Sequence, residues 1–583
     1  MLFRSTSTLY EYYQNRSGYL DFSDNIHIEL KLFPFIKFVG RFGISTKKTD
    51  AEEFFPAEHS KFLDKTSEDE KLRRGTYDMT TGNYLSLSGD VSAQFNKSFK
   101  DQHDVFATVQ YSISSIKYSE VSHYAEGFPN SRMDNIIFAR QYAMDQTPSG
   151  TDGLNRNLGF LLTAGYSFMD RYMFDATVKT SASSVFGSDN KWGVFWSTGL
   201  AWNLHNEEFM QNAKSWLHQF KIRLSTGSSG NQNYTTNNSL PIYYYYNNKY
   251  YNGFTGVYLG NMENPGLGWE QKMDYNVGID LRTKYVDLTL DAYLSDTKNL
   301  VFNRSILPST GFTSVNDNLG KVRNKGLEAS LNVRLFQRGS SYVSLFGKMA
   351  FNDNRILEIS DVLRNFNKEQ QQNALNSGSV EPVIQYYDGM PLNSIWAVHS
   401  LGIDPVSGDE FFLDRNGKMT NVWNAADLVN CGSSDPLYNG NFGINGEFHG
   451  VGMNVVFRFQ GGGYLYNSTL VQKVENVYIG NNVDKRIFTG RWFQPGQVAQ
   501  FRDGFGDPTQ ATTRFVQKNN LLSLSTVSVY YEFPYTVIKK LGMQRLRLTL
   551  FANDLVTFSS IAIERGTAYP YAKSLSFSLI ASF

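Results

Sequence analysis

The 583-residue sequence predicts an antiparallel transmembrane β-barrel, and three observations predict it. Apolar and polar residues alternate with period two over many segments; short and long connections take turns between those segments; aromatic residues gather where segments meet connections. No stretch reaches the roughly 20 apolar residues that a membrane-spanning helix needs. The opening MLFRSTSTLYEYYQNRSGYL also lacks a basic start followed by an apolar run. Strands are therefore the only route across a bilayer that the sequence leaves open.

The alternation is cleanest at the end of the chain, where Leu575, Phe577, Leu579, Ala581 and Phe583 interleave with Ser574, Ser576, Ser578 and Ser582. Leu85, Leu87, Gly89, Val91, Ala93 and Phe95 repeat it against Ser86, Ser88, Asp90, Ser92 and Gln94. It returns at Val105–Ile113, 158–168, 172–178, Val286–Leu294, Leu327–Leu335, 451–459, 527–533 and 546–550. With weaker copies the reading gives about seventeen strands of roughly ten residues, the length a tilted strand needs to cross a membrane. Asp287, Asp291, Glu328, Arg334, Arg545 and Arg547 fall on the polar side, since lipid would make them costly.

Connection lengths separate a membrane barrel from a soluble β-sandwich, which also has one apolar face. The links near 169–172, 283–285, 337–341 and 449–450 are tiny. Between them run long links at about 45–83, 114–157, 225–272, 296–322, 353–437 and 461–520. Short periplasmic turns alternating with long extracellular loops belong to outer-membrane barrels, whereas several unstructured loops of this length count against a compact soluble domain. Tyr172, Trp192, Phe195, Trp196 and Trp202, with Tyr530, Tyr531 and Phe533, then read as interfacial girdles.

Composition narrows the function. Lys plus Arg and Asp plus Glu each total 55, so no basic excess draws the chain to nucleic acid. The lone Cys431 excludes a disulfide framework or a cysteine metal cluster. The eight histidines form no i, i+4 pair and no HExxH. GSSG at 227–230 lacks the Gly-Lys-Ser/Thr and the helix of a phosphate loop, and Asp414, Asn416 and Gly417 lack the further ligands of a calcium loop. We expect no enzyme, no metal and no cofactor.

Several segments resemble the barrel of SusC/RagA-type TonB-dependent outer-membrane transporters of Bacteroidota. They are RYMFDATVKTSASSVFG (171–187) with its Ser-Ser-x-Phe-Gly end, STGSSGNQNY (225–234), and NPGLGWEQKMDYNVGIDL (264–281). GFTSVNDNLGKVRNKGLEASLNV (311–333), GIDPVSGDEFFLDRNGKMT (402–420) and the closing FANDLVTFSS with a terminal Phe complete the set. Lys179 and Ser181 stand where the family usually has Arg and Asp. The resemblance implies a 22-stranded, plugged barrel. It further implies that residues 1–583 are its C-terminal portion, with plug domain, N-terminal extension and roughly five strands absent. It also implies a place in the outer membrane, a SusD-like surface lipoprotein as partner, TonB engagement through the N-terminal part, and a glycan or peptide nutrient as cargo. A passive porin-like channel and a soluble glycan-binding β-protein are the competing readings.

Candidate contact residues are loop aromatics, because a flat apolar ring with a polar edge suits sugars and protein partners alike. They are Tyr243, Tyr244, Tyr245, Tyr246, Tyr386, Tyr387, Trp396, Trp423 and Trp492. Packing within the loops competes with ligand contact at every one of them.

Overall fold

The structure, a computed structural model, describes residues 12–144, 146–231, 239–252, 254–305, 312, 314–318, 320–339, 341–477, 483–504, 507–562 and 573–583. Eighteen strands join in one sheet, one of them the two-residue piece Gln141–Tyr142. The others form an antiparallel meander in chain order. They are β1 (Gln14–Phe33), β2 (Ile36–Phe55), β3 (Thr76–Phe99), β4 (His103–Glu126), β5 (Ser149–Phe168), β6 (Tyr172–Ser183), β7 (Trp192–Asn203), β8 (Leu217–Asn231), β9 (Glu270–Thr283) and β10 (Val286–Lys298). β11 (Lys321–Arg338), β12 (Ser341–Glu358), β13 (Tyr438–Phe448), β14 (Val451–Tyr466), β15 (Val516–Glu532), β16 (Arg545–Ser559) and β17 (Ser574–Ser582) complete it. Each strand pairs with the next; among the described residues no pairing joins β17 to β1.

Tight reversals fix the register at one rim. Lys100 and Asp101, Met169 and Asp170, and His449 and Gly450 occupy the left-handed region in pairs, as a two-residue hairpin turn with the twist of its strands requires. Two connections at this rim, 204–216 and 533–544, are longer and hold short helical turns. Every connection longer than these lies on the opposite rim, up to 359–437, so the expected alternation of short and long links is present.

The strands exceed the expected ten residues: β3 and β4 have 24 each, about 80 Å of extended chain. The loops are correspondingly shorter than the sequence suggested, at 56–75 instead of 45–83 and 127–148 instead of 114–157. Backbone pairing needs no apolar face, so the ladders continue past the membrane where the alternation fades. Thr76–Tyr84, rich in Thr, Gly and Asn, pairs as regularly as the Leu85–Phe95 stretch that follows it.

The two faces differ as the alternation requires. Leu327, Leu331, Leu335, Leu345, Met349 and Phe351 are exposed on the outer face of β11 and β12, an apolar band of eight residues' rise, about 26 Å along the strand. The inner face is polar and zipped by ion pairs. Arg223 Nε donates to Asp280 Oδ2 at 2.8 Å and Arg223 Nη2 to Asp291 Oδ1 at 3.1 Å. Arg334 bonds Asp287, and Glu532 receives both Arg547 and, at 2.7 Å, Arg545. The sequence placed all these chain positions except Arg223, Asp280 and Glu532 on that face.

Candidate functional site

The inner face holds a continuous polar trough between β10 and β14. One recess of about 440 Å³ is lined by Ser330, Asn332, Lys348, Asn441, Asn445 and Asn454. A second of about 400 Å³, lined by Asp291, Glu328 and Asn439 among others, shares Ser330, Lys348 and Asn441 with it. The Oδ1 atoms of Asn332 and Asn454 are buried without a hydrogen-bond partner. Buried amide oxygens left open are costly, at about 1–3 kcal/mol each, unless something donates to them. Amides, one ammonium and two carboxylates share this surface with Phe346, Val456 and Ala350, a mixture of donors, acceptors and apolar patches that suits a neutral polar oligomer better than a strongly charged one.

Nearer the long-loop rim, three motif segments meet. Phe186, fully buried, lies 4.4 Å from the Trp269 ring, and Phe195 stands edge-on to the same ring at 5.2 Å. Phe195 therefore packs inside the rim and does not join an outer girdle, whereas Trp192 and Trp196 are exposed. Gly187 N–H donates to Leu267 O at 2.9 Å, and a Cβ at Gly187 would meet Pro265 O at 2.1 Å, so only glycine fits there. Asn318 clasps Gly268, accepting from its N–H at 2.8 Å and donating to its carbonyl at 3.1 Å. Beneath this latch a recess of about 350 Å³ is lined by Thr177, Lys179, Ser181, Phe195, Ser229 and Trp269. Lys179 makes no ion pair among the described residues and faces the recess.

The connections 359–437 and 467–515 are folded rather than unstructured. Ser360 caps a helix at Asp361–Ser377 by accepting from Leu363 N–H, and left-handed Gly378 closes it. Ile395, Val471, Val474, Ile487, Phe501 and Phe515 form one apolar cluster, and Val383, Trp396, Val398, Phe412 and Leu428 another. Between them Arg514 Nη2 donates to Glu410 Oε2 at 2.8 Å and to Glu475 Oε1 at 2.6 Å, and both carboxylates are buried. Burial alone would lower the Arg514 guanidinium; Glu475 and Glu410 carry it above its ordinary value. Arg491, also buried, spends its donors on the carbonyls of Val474, Glu475, Arg502 and Asp503.

The structure splits the aromatic candidates into two groups. Trp396 is buried, 4.9 Å from Tyr387, and donates to Gln385 O at 3.0 Å. Trp423 donates to Ala511 O at 3.1 Å and Trp492 to Pro405 O at 2.9 Å, so both tie loop to loop. Tyr386 stacks on Phe366 at 5.9 Å, and burial pushes its hydroxyl up. Tyr243 and Tyr244 instead project from a separate hairpin, Ile242–Tyr251 with Phe254–Asn261, and are exposed. The side chains of Tyr245, Tyr246, Tyr250 and Tyr251, and motif residues 232–234, lie outside the described residues. The trough asparagines escaped the sequence reading because polar residues on a lumen face look alike until the register sets them side by side.

Comparison with known proteins agrees with this geometry. Residues 3–381 match the family described as "TonB dependent receptor-like, beta-barrel". The chain is 25% identical over 588 residues to the TonB-dependent receptor P39 of Formosa agariphila, covering 92% of this chain and 54% of the relative. It is 27% identical over 266 residues to the TonB-dependent receptor SusC of Bacteroides thetaiotaomicron, covering 44% of this chain and 26% of that protein. Superposition on the RagAB peptide transporter gives a TM-score of 0.83 at 17% identity, over 96% of this chain and 61% of that one. The chain spans about half the length of the most extensively matched curated relatives.

Proposed function

We propose, from the premise that this chain belongs to the TonB-dependent receptor-like β-barrel family, that it forms the wall and loop lobe of a SusC-like outer-membrane importer of polar oligomers, glycans or peptides. The observation that carries the reading is the asparagine-rich trough on the inner face, where Asn439, Asn441, Asn445 and Lys348 offer the donors and acceptors that a sugar chain or a peptide backbone needs. The folded loops and the exposed Tyr243 and Tyr244 suit a SusD-like lipoprotein lying over the long-loop rim. TonB would supply energy through the part of the transporter that the relatives possess beyond this match. The protein binds and passes its cargo without chemical turnover.

The test is uptake of fluorescent maltooligosaccharides and oligopeptides by cells carrying the transporter with Lys348→Met and Asn441→Ala. Accumulation of one probe class that disappears without TonB, and falls at least tenfold in the double variant, supports the reading. Undiminished uptake without TonB would make the protein a passive channel, and uptake indifferent to the double variant would remove the trough from the path.

A further inference from the structure

The outer wall carries a feature that import does not use. Across β6 to β10 a recess of about 560 Å³ opens on the apolar outer face. Phe174, Leu200 and Val277 rise around it, while Thr198, Thr226 and Ala292 are too short to fill its floor. The register places it: Phe174, Leu200, Leu224, Val277, Ala292 and Leu327 occupy one hydrogen-bonded row across six strands. The row above holds Thr198, Thr226, Tyr275, Leu294 and Lys325. From Lys325 towards the long loops, the same face turns abruptly charged.

Lys298, Lys321, Arg323, Lys325 and Arg355 gather there on β10 to β12, against the carboxylates of Asp296, Asp353 and Glu358. Arg323 Nε donates to Asp296 Oδ1 at 2.7 Å, and Arg355 Nε to Asp353 Oδ1 at 3.0 Å. Lys325 stands 3.6 Å from Asp353 with its side chain 61% exposed. Five cations against three anions, set just above an apolar band, make a surface that attracts a negative headgroup at the level where headgroups lie. Successive outward residues on a strand are about 6.7 Å apart, so the cations sit within one headgroup's reach of the recess.

We infer that this face seats a phosphorylated lipid of the outer leaflet, its phosphate on Lys325, Arg355 and their neighbours and an acyl chain lying across the Thr198–Thr226–Ala292 floor. The inference rests on the outer-membrane reading above. Volume, polarity and charge agree with it: the recess is of ligand size and almost wholly apolar, and the charge lies at one end only. A guanidinium and an ammonium side by side match phosphate geometry and charge better than they match a zwitterionic headgroup.

The transporter extracted from its native membrane, as wild type, Lys325→Gln/Arg355→Gln and Thr198→Leu/Ala292→Phe, would be examined by native mass spectrometry after incubation with lipid A or its dephosphorylated form. All four positions face outward, and because Arg355 also donates to Gly389 O at 3.1 Å, outer-membrane fractionation of each variant is the control for folding. The expected result is retained lipid A on the wild type, at least a tenfold loss in each double variant, and weak binding of the dephosphorylated lipid to all three. Equal lipid A retention by all three proteins, when each fractionates with the outer membrane, would overturn the seat and leave the wall reading standing. Absence of the wild type from the outer-membrane fraction would overturn both.

Discussion

Replacing Arg514 by Met should unfasten the loop lobe while leaving the wall intact. The side chain is 14% exposed and its partners Glu410 and Glu475 are each 1% exposed, so the substitution strands two carboxylates where water cannot reach them. Removing one partner of such a buried pair costs about 3–5 kcal/mol, far more than an exposed pair contributes. At about 1.4 kcal/mol per decade, local opening of 359–437 and 467–515 should become roughly 100- to 4,000-fold more frequent. Hydrogen exchange by mass spectrometry reads this directly, with peptides from β4 and β5 as internal reference. Adding Glu410→Gln and Glu475→Gln to Arg514→Met should recover part of the loss, because neutral amides are cheaper to bury than ions. Protection in the lobe falling less than tenfold, or falling equally in β4 and β5, would refute the claim that this cluster fastens an independently opening lobe.

Four further outcomes are expected. Leu331→Arg, on the outer face, should destabilise the membrane-inserted protein by about 2–4 kcal/mol in urea-induced unfolding from bilayers, whereas Asn332→Arg, one residue along and facing inward, should cost little. Trp269→Ala should cost about 3–5 kcal/mol and expose 184–191 to protease, since Phe186 and Phe195 both pack on that ring. A cysteine at Asn252 should be labelled on intact cells by a membrane-impermeant maleimide and one at Gly339 should not; the reverse pattern would invert the topology. Burial pushes the Cys431 thiol up, so at pH 8 it should alkylate more slowly than free cysteine until the protein is denatured, and equal rates would contradict the packing around it.

Sidedness and strand count were legible because they depend on side chains alternating along a single segment. Leu327–Leu335 against Glu328–Arg334 needs no partner to be read, and the register of β10 to β12 places both sets as that reading requires. Strand ends were not legible where both faces meet water, as at Thr76–Tyr84, because there the backbone alone sustains the pairing. The lobe stayed hidden for another reason: Glu410 and Arg514 are 104 residues apart, and nothing local marks either as half of a pair. The helix at 361–377 did leave a trace, Ser360 before it and Gly378 after it, inside a stretch whose polarity reads as loop. Of the aromatic candidates, residue type named the rings, while only tertiary contacts separate exposed Tyr243 from buried Trp396.

Among the described residues β1 and β17 share no pairing, and that seam constrains arithmetic as well as hydrogen bonding. β1 leads into the tight turn at 34–35, and β17 descends from the long connection 560–573 toward that same rim, so the two edge strands point the same way. Bringing them together directly would create a parallel contact in an otherwise antiparallel wall. Any closure that preserves the antiparallel pattern must therefore interpose an odd number of strands, and the sum is then even, as in single-chain bacterial barrels. Five interposed strands satisfy this rule; four or six, from whatever polypeptide, would not.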